Sequence, residues 1–306
     1  MPHWSEPPTR LWIGLSDGVK LMKLLLMPNL DKARIHECIR LLSDFSAKHR
    51  ICLMMNEKHK ADFPDCDILY GEFFSLLAQA DFCVAVGGDG TIIHMAKHAA
   101  IADKPVLGIN LGRLGFLATM EMDQLDLLKK LISGDYAAEE RMMLKITLQH
   151  ENGSESWLAL NDAVVSKGSL SRMIEFSVFN RDKPVGAYRA DGMIASTPTG
   201  STAYSLSAGG PIIDPGISCI SLIPISPHSL FSRSMMFQAD SKLCLMPSGA
   251  EEQQIYLTVD GEQSVPIRRT DKLIIEKSEL PVKLINLTGK AFYEVINEKL
   301  LCRAHT

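Results

Sequence analysis

The sequence predicts an α/β N-terminal domain with a Rossmann-like parallel sheet, followed by a β-rich C-terminal domain. Three observations carry this. Up to about residue 139, short apolar runs alternate with segments of helical spacing, the pattern of strands crossing over through helices. Two of those runs lead into glycine-containing loops, at 87–90 and 108–115; in a parallel sheet both loops fall on the carboxyl edge, where ligands bind. From about residue 140 the chain changes to alternating polar and apolar positions, separated by turn formers such as Glu151-Asn152-Gly153, Pro247-Ser248-Gly249 and Asp260-Gly261, as in antiparallel sheets.

Lys23-Leu24-Leu25-Leu26-Met27, stopped by Pro28-Asn29, reads as the first buried strand. Residues 31–48 place Ile35, Cys38, Ile39, Leu42 and Phe45 at helical spacing, with Asp31 as a contributor to the helix start. Ile51 to Met55 and Phe82 to Val86 are further strands, 91–100 a helix, Pro105 to Ile109 a strand, and Leu125 to Ile132 a helix closed by Gly134. In the second half, alternation marks strands at 144–148, within 157–165, and at 174–179, 243–247, 255–259 and 272–276; helical spacing returns only at 289–300. No flexible linker separates the halves, so they are expected to pack closely and share a site. Residues 1–20 read as an N-terminal extension, apolar at Leu11-Trp12-Ile13-Gly14-Leu15 but interrupted by Asp17, Lys20 and Lys23. That is neither a membrane span nor a signal peptide.

Composition narrows the function. A net charge of −4 over 306 residues argues against a protein that covers nucleic acid by bulk electrostatics. The seven cysteines are odd in number and lack C-x-x-C spacing, so they read as reduced thiols of a cytoplasmic protein, with no disulfide framework and no zinc site. The nine histidines form no metal-ligand pattern, and no protein-held metal is expected.

Gly87-Gly88-Asp89-Gly90-Thr91 follows a strand and precedes a helix. Free backbone N–H groups beside a helix start suit phosphate. The loop lacks the Gly-Lys-Ser/Thr ending of a P-loop and is not a G-x-G-x-x-G fingerprint. A carboxylate in a loop built for anions needs a reason. A general base taking the proton of a hydroxyl that attacks a phosphoryl group supplies one. The plain alternative is an Asp that only turns the chain or caps the helix. The flanking glycines and the buried strand before them favour the base.

A second segment, residues 191–211, concentrates Thr197, Thr199, Ser201, Thr202, Ser205 and Ser207 around Pro198 and Gly200. Small hydroxyls and free amides suit an uncharged polar ligand such as a ribose or an amide, and Tyr204 could stack on a ring. A plain Ser/Thr/Gly loop is the alternative.

The glycine loop resembles the signature shared by NAD kinases, diacylglycerol and sphingosine kinases and 6-phosphofructokinases. Ser196-Thr197-Pro198-Thr199-Gly200-Ser201-Thr202-Ala203-Tyr204 with Ser207-Ala208-Gly209-Gly210-Pro211, Leu160-Asn161-Asp162, Asn110-Leu111-Gly112-Arg113-Leu114-Gly115-Phe116-Leu117 and Asp260-Gly261 resemble the bacterial NAD kinase motifs, in the family's order. This resemblance implies transfer of the terminal phosphoryl group of ATP, carried with Mg²⁺, to the 2′-hydroxyl of the adenosine ribose of NAD. It implies an α/β domain over 21–139, completed by 286–306, and a β-rich NAD-binding domain over 140–285. By motif position Asp89 would be the base, while Gly87, Gly88, Gly90 and Thr91 shape the phosphate region. Asn161 and Asp162 would bind the dinucleotide, and Asp191, Thr199, Thr202, Ala203, Tyr204 and Ser207 would line its pocket. Asp162 stands where many relatives have Glu. Arg189 would favour NAD over NADH or meet a phosphate, a surface arginine being the alternative. The family's Pro-x-Lys is imperfect in Pro28-Asn29-Leu30-Asp31-Lys32, which leaves Lys32 and Arg113 as candidate phosphate contacts. The family assembles as homodimers or homotetramers, and a neighbour can complete the NAD site. The competing readings are a lipid or sugar kinase built on the same loop and a non-catalytic NAD(P)-binding regulator.

Overall fold

The computed structural model describes residues 21–112, 115–118, 120–168, 172–229, 232–248, 254–262 and 264–301. The N-terminal extension 1–20 and Arg113 lie outside them. The first half runs β1 (Met22–Pro28), α1 (Ile35–His49), β2 (Ile51–Asn56), β3 (Leu69–Gly71), α2 (Phe73–Gln79), β4 (Phe82–Gly87), α3 (Asp89–Ile101), β5 (Val106–Asn110), β6 (Met120–Glu121), α4 (Leu128–Ser133) and β7 (Ala137–Arg141). The second half adds β8 (Leu144–His150), β9 (Gly153–Ala159), β10 (Asp162–Lys167), β11 (Ile174–Asn180), β12 (Lys183–Ala190), β13 (Gly192–Ser196), α5 (Tyr204–Ser207), β14 (Cys219–Ile225), β15 (Met235–Gln238), β16 (Lys242–Ser248), β17 (Ile255–Val259), β18 (Ser264–Ile267), β19 (Lys272–Lys277), β20 (Val282–Asn286) and α6 (Phe292–Ile296).

One eight-stranded sheet has the order β3-β2-β1-β4-β5-β20-β7, with β6 beside β5. Its pairs are parallel except the last, β20 with β7. Helical crossovers cover both faces of such a sheet, which is why β4 and β5 are buried along their whole length and read as unbroken apolar runs. On one face α1 inserts Ile35, Cys38, Ile39 and Leu42; on the other α3 packs Ile92, Met95, Ala96 and Ala99 with Leu76 and Leu77 of α2. The strand order reverses between β1 and β4, so a crevice opens beyond their carboxyl ends. Asn29 at the end of β1 donates to the Val86 carbonyl at 2.9 Å, which fixes that edge.

The helix expected from residue 31 begins at Ile35. The Asp31 amide instead donates to Asn29 Oδ1 at 3.0 Å, closing a turn that consumes the residues after Pro28, so Asp31 does not cap the helix. The helix expected at 125–132 forms as a tight turn over Met122–Leu127 leading into α4, and Gly134 closes it at φ 75°.

The second half contains two six-stranded antiparallel sheets, β15-β14-β13-β10-β17-β18 and β12-β11-β16-β19-β8-β9. They pack face to face. Leu144, Ile146 and Leu148 come from one sheet and Val165, Met193 and Ala195 from the other. β8 alternates buried and more exposed positions, as its sequence does. β13 does not: all of Gly192–Ser196 is buried. A strand covered on both faces has no period-2 signal, and for that reason it reads as part of a polar loop in the sequence. After β20 the chain continues into α6 and a wider helical turn over Asn297–Leu301, where the Lys299 ammonium lies 3.9 Å from the centre of the Phe116 ring.

Candidate active site

β4 delivers Gly87 to the crevice, Gly88 continues in extended conformation at φ −155°, and Asp89 is the first residue of α3. A carboxylate in the first turn is favoured by the helix dipole. Asp89 also holds a loop. Its Oδ2 accepts from the Phe116 amide at 2.7 Å, and its Oδ1 accepts from Leu117 and Ala118 at 3.0 and 3.2 Å. Residue 115 is glycine because a Cβ there would overlap the Asp89 carboxylate. A carboxylate offers about four lone-pair sites. Three are used here, which leaves about one for a hydroxyl. The Gly87 carbonyl accepts from Leu111 at 2.8 Å, which ties the two glycine loops together, and the Gly88 carbonyl accepts from Thr91 at 3.0 Å, which closes the first of them. Gly90 is exposed at the helix start, and Lys32 is half-buried in the β1–α1 connection.

Asn161, Asp162, Ala203 and Tyr204 line a cavity of about 330 Å³ with Val164, Ser166, Thr258, Asp260 and Gly261. Tyr204 is 47% exposed at the mouth of this cavity. Two clamps shape the Asn161 turn. On one side the Thr197 amide donates to the Asn161 carbonyl at 2.9 Å, the Thr197 hydroxyl donates to the Leu160 carbonyl at 2.6 Å, and the same hydroxyl accepts from Gly200 at 3.0 Å. On the other side the Asp260 carboxylate accepts from the amides of Leu160, Asn161 and Asp162 at 2.8, 2.8 and 3.0 Å. Asp260 takes a left-handed φ of 51°, an uncommon conformation for a non-glycine residue.

The hydroxyl-rich segment thus divides. Thr197 and Ser201 are buried, and Ser201 exchanges hydrogen bonds with Ile213; both hydroxyls are spent on backbone. Thr199 is buried, Thr202 donates to the Thr199 carbonyl at 3.3 Å, and Ser207 is exposed on α5. Asp191 is ion-paired with Lys167 at 2.6 Å. Arg189 is exposed and lines a separate cavity of about 460 Å³ with Tyr188, His228, Ser229, Ser232 and Arg233. His94 meets Glu262 at 3.1 Å. Sequence reading missed Lys97 and Lys167, since lone lysines carry no motif. The Asp260-Gly261 pair was visible, but its task of holding three distant amides was not.

Burial and the neighbouring Asp260 carboxylate push the Asp162 carboxyl up to about 7. Burial raises Asp260 as well, with Lys97 and the three amides offsetting part of that. The Lys97 ammonium and the three amides favour the charge on Asp260, so the proton of the pair goes to Asp162. The unfolded chain loses the Asp162 proton near the ordinary carboxylate value of about 3.9. The resulting stability is complete below that pH and lost as pH rises through about 7. Asp162→Asn should remove this slope. Between pH 4.5 and 8 wild type should lose on the order of 3 kcal/mol more than the variant. Urea midpoints at the two pH values measure it, and parallel losses in both proteins would refute the assignment.

A carboxylate at a glycine-loop helix start, with a cavity holding Asn161, Asp162 and an exposed Tyr204, defines a phosphotransferase acting on a nucleotide-like acceptor. Comparison with known proteins gives the family. The ATP-NAD kinase N-terminal domain matches residues 40–136 and the ATP-NAD kinase C-terminal domain matches 160–287. The chain is 37% identical over 285 residues to a NAD kinase of Moorella thermoacetica, covering 92% of this chain and 89% of the relative. It is 36% identical over 284 residues to a NAD kinase of Carboxydothermus hydrogenoformans, covering 92% and 95%. Yeast NADH kinase complexed with NADH shares the fold at TM-score 0.82 and 24% identity, over 94% of this chain and 89% of that one. A NAD kinase from Archaeoglobus fulgidus in complex with ATP aligns at TM-score 0.64 and 25% identity, over 90% and 98%. The chain belongs to the ATP-NAD kinase family. The lipid- or sugar-kinase and regulator readings are not favoured.

Proposed function

We propose that the protein phosphorylates the 2′-hydroxyl of the adenosine ribose of NAD, with Asp89 as the base. The supporting observation is that α3 serves both halves of the reaction. Asp89 begins it, and Lys97, about 12 Å further along the axis at 1.5 Å per residue, contacts Asp260, which holds the turn that carries Asn161 and Asp162. One rigid element thereby spaces the base from the acceptor cavity. In this reading the unit 21–139, completed by 286–306, presents the donor and the base, and 140–285 presents NAD. Asp89 takes the hydroxyl proton as the oxygen bonds to the γ-phosphorus of ATP, and the bond to the leaving ADP breaks.

Mg²⁺ enters with ATP and offsets charge on its phosphates; among the described residues no three His, Cys, Asp or Glu side chains converge on a cage for it. The remaining assigned residues, Gly87, Gly88, Gly90 and Thr91 at the phosphates and Asp191, Thr199, Thr202, Ala203, Tyr204 and Ser207 around NAD, keep those roles in this reading. The direct test incubates the purified protein with NAD, ATP and Mg²⁺ and assays NADP. NAD binding without NADP formation would end the proposal.

A second copy of the chain is expected over the edge strands β12 and β15. Met235 and Met236 are 36% and 52% exposed there, beside the cavity that holds Arg189. This is the face on which a homodimer or homotetramer would form and where Arg189 could reach a neighbour's dinucleotide. Sedimentation at the monomer mass at micromolar protein would count against it. We place the protein in the cytoplasm, its described cysteines being free thiols. No described helix is long and apolar enough to cross a membrane.

A further inference from the structure

Lys97 has no counterpart among the motif residues, yet it sits where the two halves of the cleft meet. It lies two turns after Asp89 on α3 and is only 16% exposed. Its ammonium is 3.6 Å from Asp260 Oδ2 and 3.1 Å from Glu262 Oε1. The Asp260 side chain is fully buried, and a buried carboxylate is stable only when paired and hydrogen-bonded. Asp260 spends its oxygens on the amides of residues 160–162, and its own amide donates to the Asp162 carbonyl at 2.9 Å. The Asn161-Asp162 turn is therefore built around the Asp260 charge, and that charge depends on a cation supplied by the helix that begins with Asp89.

We propose that Lys97 is a positioning residue for the acceptor site: by neutralising buried Asp260 it holds the Asn161-Asp162 turn against α3, which sets where NAD lies relative to Asp89. This rests on the reading of the cavity as the NAD site. The groups that face Asp260 are Lys97 from α3 and Asp162 from β10. Glu262, in the same turn as Asp260, is held by Lys97 and by His94 of α3. Burial works against ionisation of Glu262, but His94 and Lys97 outweigh it and keep its carboxyl below the usual range. Without Lys97, Asp260 gains a proton more readily, its hold on the three amides weakens, and Asp162 titrates beside a less charged neighbour.

The test compares wild type, Lys97→Arg, Lys97→Met and the double variant Lys97→Met/Asp260→Asn in steady-state NADP formation. Lys97→Met should raise KM for NAD roughly tenfold or more and lower kcat as well, since the bound ribose is misplaced relative to Asp89, with KM for ATP changed less than about threefold. The pH dependence of kcat/KM for NAD should shift, because one member of the Asp162–Asp260 pair has lost its cation. Lys97→Arg keeps the charge and should restore both readouts. The double variant should do no better than Lys97→Met, because asparagine at 260 keeps one accepting oxygen for amides that Asp260 holds with two; if Lys97→Met does not fold, Lys97→Gln carries the same comparison. An unchanged KM and pH profile in Lys97→Met overturns the proposal. So does a double variant that restores the wild-type KM. Failure of the wild type to make NADP would instead refute the NAD reading itself.

Discussion

Asp89→Asn should lower kcat about 10²–10⁴-fold, the range expected when a general base is lost. The structure adds a second consequence. Wild-type Asp89 accepts three loop amides through two oxygens. Asparagine keeps one accepting oxygen and turns an NH₂ group toward the remaining N–H, so residues 116–118 must shift locally. Gly115 stays compatible, since the side-chain volume is unchanged. NAD affinity should therefore stay within a few-fold of wild type while chemistry collapses, a loss concentrated in the transition state. Calorimetric titration with NAD, together with single-turnover NADP formation, separates the two effects. Turnover at the wild-type rate would remove Asp89 from the mechanism and leave it as a loop anchor.

Gly200→Ala should damage stability and acceptor binding together. A methyl group at 200 would overlap the Asn161 carbonyl and lie 2.6 Å from both the Asn161 carbonyl carbon and Ser196 Oγ. These are mainly backbone atoms pinned by Thr197 and Asp260, so the strain has no flexible side chain to absorb it. Overpacking of this kind costs about 1–3 kcal/mol or more, and each kcal/mol lowers Tm by roughly 2–4 °C in a chain of this order of size. To make room the Asn161 turn must move, and displacements approaching 1 Å in a binding site cost up to about 10²-fold, so KM for NAD should rise by roughly tenfold. Gly112→Ala, where an added methyl meets nothing, is the matched control and should melt like wild type. Equal melting temperatures for the two variants would show that the 161–200 contact is looser than described.

Much of the fold could be read from the chain because its signals are local. The alternation of apolar runs and helical spacing before residue 140 corresponds to the parallel sheet with helices on both faces. β8, β11, β16, β17 and β19 carry visible alternation because each has one face on the sandwich core. β13 and β14 are central and covered on both faces, and β13 was hidden among serines and threonines. The short β3 and the edge strands β12 and β15 were missed for other reasons. β3 has three residues, and an edge strand with few buried positions has little pattern to show.

The sequence by itself determined the class of chemistry: an aspartate between glycines at a strand-to-helix turn, and an ordered set of motifs that narrowed the acceptor to NAD. Those are properties of residues close together in the chain, where backbone freedom and side-chain type decide. Tertiary structure alone decided what each polar group is free to do. It committed Thr197 and Ser201 to backbone, gave Asp260 the amides of residues about 100 positions earlier, and set Lys97 beside a fully buried carboxylate. It also left Asp89 about one lone-pair site after three loop amides. Burial and long-range pairing fix these assignments, and both come into being only when the chain folds, the Lys97–Asp260 pair only when its two halves meet.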